Sequence, residues 1–168
     1  MMHEYVTRAV VLDKETRNDA DARYSFFTER FGKVLAKATS SRKIVSKLAG
    51  HLEPGTAASV RIIEQRGTKV VDALAFGRVS IPIAELSALG RLLAEWEPEE
   101  ILWQELAREP AGEFSWTNAL AVLGWDPRGA ACTVCGRAGA GHFLIPRQEF
   151  FCAACASRFR RSDLILIS

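Results

Sequence analysis

The four cysteines of this chain form two closely spaced pairs, a pattern that binds metal. Each pair has the form Cys-x-x-Cys, and sixteen residues separate one pair from the other. The members are Cys132, Cys135, Cys152 and Cys155. A Cys-x-x-Cys turn directs two thiolates at one centre, and two such turns complete a tetrahedral sulfur shell around zinc. The spacing therefore predicts a structural Zn²⁺ that leaves no coordination position open for catalysis.

Disulfides and a redox-active dithiol are the alternatives for these cysteines. The N-terminal residues show no basic segment leading into an apolar run, so no secretory signal is visible, and we expect a cytoplasmic protein with reduced thiols. A redox Cys-x-x-Cys usually occurs singly near a β-α-β pattern, which the sequence lacks. His142 lies between the pairs, but four thiolates already fill the shell, so we interpret it as a surface residue.

Short elements are predicted to hold the two pairs in place. Gly136 directly follows the first pair and suits the tight turn of a zinc knuckle. Residues 143–145 are apolar and are predicted to form one strand of a small ribbon. Residues 128–168 are therefore predicted to form a zinc-binding module.

The first 79 residues show the pattern of a small β-barrel. Five segments have strand character and are separated by turn signals: residues 5–12, 23–28, 33–38, 59–64 and 69–76. The polar stretch 13–21 is interpreted as a loop. Five short strands without a long helical pattern among them favour a closed or partly open barrel, for which the OB-fold is a common solution.

Basic residues concentrate on one part of this predicted barrel. Six basic residues and no acidic residue occur between residues 30 and 47. With one residue of the preceding strand, they are the predicted DNA-binding residues: Arg23, Arg30, Lys33, Lys37, Arg42, Lys43 and Lys47. Lys33 and Lys37 share one strand face by the two-residue period, and cations on adjacent elements suit phosphate binding. A solvated basic face without a ligand is the alternative.

Aromatic residues lie close to these cations in the sequence. Phe26, Phe27 and Phe31 flank the turn between the second and third predicted strands. An exposed ring there would stack a nucleic-acid base. We expect two of the three rings to lie in the core, because phenylalanines in strands usually pack there.

Residues 80–127 are predicted to form a small helical domain. Pro82 suits a first helical turn, and apolar residues then recur at three- and four-residue steps from Ile83 to Trp96. A second helix is predicted at residues 99–108. A third is predicted at residues 116–123, with Ser115 as its N-cap. The whole chain is thus assigned to the α+β class.

The net charge of +2 results from cancellation between three blocks. Residues 1–79 carry +5, residues 80–127 carry −7 and residues 128–168 carry +4. Blocks of unlike sign indicate modules with unlike partners, and nucleic acid is expected to meet the two basic blocks. The apolar content of 48% excludes wholesale disorder, and no apolar run approaches the length of a membrane span.

Several of these segments together resemble the bacterial recombination mediators of the RecO family. The resemblance includes Gly32-Lys33-Val34 and Leu52-Glu53-Pro54. It is carried by residues 5–12, 24–34, 36–37, 42–43, 46–48 and 52–54. In that family such segments belong to an N-terminal OB-fold that a helical region follows, and many members carry two Cys-x-x-Cys pairs. The order of barrel, helices and tetracysteine module is shared across most of this chain.

The resemblance implies a function in DNA repair without catalysis. RecO-like proteins bind single- and double-stranded DNA, anneal complementary strands and act with RecR and single-strand-binding protein, in the bacterial nucleoid. The seven basic residues then correspond to the family's DNA-binding segment. An OB-fold and zinc-ribbon module that binds RNA or a protein of translation or transcription is the alternative. An enzyme is not expected, because the sequence shows no phosphate loop, nucleophile elbow or paired-histidine motif.

Overall fold

Residues 2–18, 21–38, 48–107 and 114–167 are described by the structure, a computed structural model. The chain divides into two compact units, Met1–Gly112 and Glu113–Ser168. Two of the three helices of the predicted middle segment, 80–127, lie in the first unit and the third lies in the second.

The described part of the first unit contains five strands and two helices with defined bounds. The strands are β1 (His3–Asn18), β2 (Asp21–Thr28), β3 (Gly32–Ala38), β4 (Thr56–Glu64) and β5 (Thr68–Arg78). The helices are α1 (Ile83–Leu92) and α2 (Glu100–Leu106). All five predicted strands are present, and they close into a barrel in the order β1-β2-β3-β5-β4. The pair β3–β5 is parallel, whereas the other four pairs are antiparallel.

The described part of the second unit contains a smaller sheet, two short α-helices and a 3₁₀ turn at Arg161–Asp163. The helices are α3 (Trp116–Val122) and α4 (Ala153–Ala156). The strands are β6 (His142–Leu144), β7 (Glu149–Phe151) and β8 (Leu164–Leu166), and they form a sheet in the order β7-β6-β8. Ser115 caps α3 as predicted, because its side chain accepts a hydrogen bond from the backbone N–H of Asn118. None of the described helices is long and apolar enough to cross a membrane.

The predicted loop at residues 13–21 is wrong, because most of this segment is strand. β1 continues to Asn18 and pairs with β2 as far as Asp21. A register shift between Val11 and Asp13 marks a bulge, after which the strand is exposed at Asp13. The polar composition therefore reflects exposure of a hairpin that leaves the core, and backbone pairing with β2 keeps it extended.

The centre of β1 is buried on both of its faces. Ala9 and Val11 belong to the core of the barrel interior. Val10 and Leu12 are equally buried, and Leu12 lies opposite Gly90 of α1, where an added Cβ would be 3.5 Å from it. An apolar run with no polar alternation is typical of a strand that is covered on both sides. The helix α1 therefore covers the outside of the barrel at β1.

The prediction that the apolar helical pattern continues to Trp96 is also wrong. α1 ends at Leu92, and Leu93 has extended backbone angles. The backbone N–H of Trp96 donates to the carbonyl of Lys33 at 2.9 Å, and Glu95 forms a parallel bridge with Lys33. The backbone of the segment after α1 thus forms its hydrogen bonds with β3 instead of continuing the helix. This segment therefore runs along the barrel. The ring of Trp96 packs 6.2 Å from that of Phe31.

Gly32 permits this docking at the turn between β2 and β3. Its φ of +65° lies in the left-handed region, and an added Cβ would be 1.9 Å from the carbonyl oxygen of Glu97. A side chain there would therefore have to displace the backbone of the docked segment.

We predict that Gly32→Ala destabilises the first unit by about 3 kcal/mol, because it combines left-handed strain with a backbone clash. Gly67→Ala is the matched control. Gly67 also has a positive φ, +114°, but nothing lies within 4 Å of an added Cβ. Its cost should be that of backbone strain alone, about 1–2 kcal/mol. Urea unfolding followed by circular dichroism measures both, and equal losses would contradict the role given to Glu97.

Candidate metal centre and nucleic-acid surface

The four cysteines come together in the second unit. Their Sγ atoms all lie within 4.8 Å of one another. The Sγ atoms of Cys135 and Cys152 are 3.7 Å apart, and all four thiols are free. With a Zn–S distance of ~2.3 Å, two sulfurs of a tetrahedral shell lie about 3.8 Å apart. The donors and their spacing therefore fit a zinc ion, and the disulfide alternative does not describe this site.

Backbone hydrogen bonds hold the two Cys-x-x-Cys turns in shape. The N–H of Gly136 donates to the carbonyl of Cys132 at 2.8 Å, and Gly136 has the positive φ, +70°, that the predicted turn requires. The N–H of Cys132 donates to the carbonyl of Arg137 at 2.8 Å. Cys152 is the N-cap of α4, which contains Cys155. His142 lies half-buried in β6 rather than on the surface, and it is not part of the cluster.

The electrostatics of the cluster favour a cation at its centre. Hydrogen bonds from the backbone of Cys152, and then of Cys135, lower the pKa of the Cys132 thiol to about 6 from an ordinary value of 9.0. A backbone hydrogen bond from Cys155 also lowers the pKa of Cys152. The pKa of Cys155 is raised to about 12, first by its hydrogen bond with Cys152 and then by burial. The thiolate of Cys132 thus forms readily, whereas ionisation of Cys155 is unfavourable. A divalent cation bound between the sulfurs would stabilise the thiolates.

The first unit brings together two of the predicted DNA-binding residues. Arg23 of β2 and Lys37 of β3 are direct cross-strand partners, and both are exposed. Lys37 is in turn the direct partner of Lys69 in β5. We call Arg23, Lys37 and Lys69 the cation row. The row crosses three adjacent strands of the barrel.

Lys69 was absent from the sequence prediction. It is more than thirty positions from Lys37 in the chain, and only the parallel pairing of β3 with β5 places the two lysines side by side. The sequence offered one signal for a basic site at the start of β5: Arg66, in the turn that precedes this strand.

A groove of about 380 Å³ lies beside the cation row. Leu35, which is 48% exposed, lines it together with Arg23 and Lys37. Asp13 and Glu15 of β1 line it as well. Glu15 is also the direct cross-strand partner of Arg23, so a carboxylate borders the cation row at its β1 end. The positive side of the groove is therefore the one towards Lys37 and Lys69.

Lys33 shares the outer face of β3 with Lys37 but contacts another element of the protein. Its Nζ donates to the carbonyl of Gly90 at 3.0 Å. That carbonyl is in the last turn of α1, where a cation also interacts favourably with the helix dipole. Lys33 therefore fastens α1 to the barrel.

Of the four remaining predicted DNA-binding residues, the structure describes one, Arg30. Arg30 is exposed in the turn after β2, with its guanidinium 5.6 Å from the centre of the Phe31 ring. The other three lie outside the described residues: Arg42, Lys43 and Lys47. Phe26 and Phe27 are fully buried, as predicted for two of the three phenylalanines, and Phe31 is half-buried.

Comparison with known proteins places the barrel and the rest of the chain in one family. A family model of the N-terminal part of recombination protein O matches residues 2–76, which is nearly the extent of the barrel. A DNA repair protein RecO of Bifidobacterium adolescentis is 31% identical over 179 residues, covering 89% of this chain and 73% of that protein. The chain belongs to the RecO family. The sequence resemblance is thus confirmed.

Other RecO proteins match over a similar extent. The relative from Myxococcus xanthus is 28% identical and covers 99% of this chain and 79% of its own length. The relative from Bifidobacterium longum is 25% identical, with 91% and 74% covered. These matches include the second unit of this RecO-family chain, which the N-terminal family model does not reach.

We predict that this RecO-family protein binds one zinc ion per chain. Chelation should unfold the segment from β6 to β8, because a structural zinc site contributes its binding free energy to folding. Cys135→Ser should lower the zinc content, and His142→Ala should leave it unchanged. Elemental analysis of protein purified under reducing conditions measures both. Protein without zinc, or zinc lost in the His142 variant, would contradict the four-thiolate site.

We predict that Lys33→Gln lowers the stability of the first unit by about 1 kcal/mol, because it removes a charged hydrogen bond to the end of α1. The salt dependence of DNA binding should stay unchanged, since Lys33 already has a protein partner. Urea unfolding and binding titrations at several salt concentrations test the two parts. A normal stability with a weaker salt dependence would show that Lys33 contacts DNA instead.

Proposed function

We propose that this chain is a DNA-binding protein of recombinational repair that anneals complementary strands and catalyses no reaction. The observation that carries the proposal is the cation row of Arg23, Lys37 and Lys69 on three neighbouring strands. The row stands in a chain whose relatives are named DNA repair proteins. Cations at adjacent positions suit a phosphate backbone, which carries a charge on each nucleotide.

The first unit is assigned to the OB-fold. A five-stranded closed barrel of order β1-β2-β3-β5-β4, in which β3 and β5 run parallel, supports this assignment. OB-folds bind single strands across the face that includes their second and third strands. The cation row lies across β2 and β3 and extends to β5.

The direction of the row indicates how a strand would lie on the barrel. Adjacent strands of a sheet are about 4.8 Å apart, so a nucleic-acid backbone running across them meets the three cations in succession. Directly paired like charges such as Lys37 and Lys69 destabilise the free protein. A phosphate between them removes that repulsion, which favours binding. Arg30 and the predicted residues Arg42, Lys43 and Lys47 would extend the contact.

The remaining features of the proposal follow from family membership. We propose that the chain acts in the bacterial cytoplasm, at the nucleoid, together with a RecR-like protein and single-strand-binding protein. The zinc ion that the cysteines would hold serves the structure of the second unit, because a closed shell of four thiolates leaves no position for a substrate.

We predict that Arg23→Gln, Lys37→Gln and Lys69→Gln together weaken binding of single-stranded DNA. Each lost phosphate contact should lower the slope of log affinity against log salt by about 0.7, so the triple variant should lose about 2. Lys14→Gln is a control, because the Nζ of Lys14 already pairs with Glu53 at 2.6 Å. An unaltered slope in the triple variant would refute the assignment of this surface.

Annealing assays separate the proposal from its alternative. Complementary DNA strands and complementary RNA strands are compared, with and without single-strand-binding protein. Annealing of DNA supports the recombination function. Binding of RNA without annealing of either nucleic acid would support an RNA-binding module instead.

A further inference from the structure

The second unit carries a separate group of cations on the segment that follows its cysteines. We call residues 157–163 the arginine loop. It contains three exposed arginines within four positions: Arg158, Arg160 and Arg161. Asp163 is the only acidic residue in this loop. The loop is therefore a compact positive segment, and it lies outside the unit that contains the cation row.

The arginine loop is held by the cysteine site and the small sheet. It begins directly after α4, which contains Cys155. The ring of Phe159 packs at 4.9 Å against that of Phe151, and the N–H of Phe159 donates to the carbonyl of Ala156. At the other end, the N–H of Ile145 donates to the carbonyl of Asp163 at 2.9 Å. The backbone of the loop is thus fixed before any ligand binds.

Two other arginines of the second unit, Arg128 and Arg147, are paired with neighbouring carboxylates. Arg128 makes two contacts of 2.8 Å with the carboxylate of Asp126. Arg147 forms an ion pair with Glu149 at 3.0 Å. Arg137 is exposed as well, but it has no basic neighbour in the sequence, whereas three exposed arginines occur within four positions of the arginine loop. The densest positive charge of this unit is therefore on the arginine loop.

The composition of the loop favours nucleic acid over a protein partner. Protein interfaces have an apolar centre, and residues 157–163 expose no large apolar side chain, since Phe159 is packed on Phe151. Exposed arginines are typical of contacts to a phosphate backbone.

We propose that the arginine loop binds the backbone of a second nucleic-acid strand, so that one chain holds two strands at once. This rests on the proposed function and extends it, because annealing requires two strands to be brought together. The cation row would hold one strand and the arginine loop the other. Each strand is bound through its phosphates, which leaves the bases of both available for pairing.

The test counts oligonucleotides bound to the full-length, zinc-loaded protein. Non-complementary single strands of about ten nucleotides, within the range of one OB-fold site, are added in excess and counted by native mass spectrometry. The unsubstituted protein should bind two per chain. Arg160→Gln with Arg161→Gln should bind one, retain zinc and lose annealing of complementary strands.

A matched control keeps the result specific to the loop. Arg128→Gln with Arg147→Gln removes the same charge from the same unit, but from arginines that are paired with carboxylates. This control should still bind two oligonucleotides. In this control, the slope of log affinity against log salt for the second oligonucleotide should equal that of the unsubstituted protein. Arg160 and Arg161 together should account for about 1.4 of that slope, because each phosphate contact on a single strand contributes about 0.7.

The outcomes separate this inference from the proposed function. One oligonucleotide per chain in both the unsubstituted protein and the loop variant would refute the second strand site while leaving DNA binding intact. Two per chain in the loop variant would also refute it. No binding to the unsubstituted protein would refute both proposals.

Discussion

Closure of the barrel between β3 and β5 is the constraint on which the candidate nucleic-acid surface depends. The register of this parallel pair places Lys37 beside Lys69, and the antiparallel pairing of β2 with β3 places Arg23 on the other side of Lys37. Side chains at directly paired positions are close enough to interact, so the like charges of Lys37 and Lys69 share one end of the barrel face, while Arg23 also has Glu15 of β1 as a direct partner. The fold thus creates a positive site that a polyanion would stabilise.

The rest of that face is used for packing. α1 covers β1 at Leu12, and Lys33 fastens the last turn of α1 to β3 through Gly90. The segment after α1 then runs against the start of β3, where Gly32 alone allows the backbone of Glu97 to approach. One part of the outer face of the barrel is therefore buried, and the part that includes Arg23 and Lys37 stays exposed.

The cysteine cluster also brings together groups of like charge, but here the charge is negative once the thiols ionise. Four thiols within 4.8 Å cannot all ionise by themselves, as the raised pKa of Cys155 shows, although backbone hydrogen bonds favour the thiolate of Cys132. A divalent cation resolves this conflict and joins the two Cys-x-x-Cys turns. Both candidate sites thus hold like charges that the fold brings together and that a ligand of opposite charge would stabilise.

The sequence by itself determined the features that depend on local spacing. The two Cys-x-x-Cys pairs, the positions of five strands and the N-cap Ser115 follow from residues that are close in the chain. The tertiary structure decided what depends on distant partners. Only contacts between distant segments show that residues 13–18 are extended, that α1 stops at Leu92, that Lys69 lies beside Lys37 and that Lys33 binds Gly90. Hydrogen bonds and charges across long separations fix these features, and no local pattern records them.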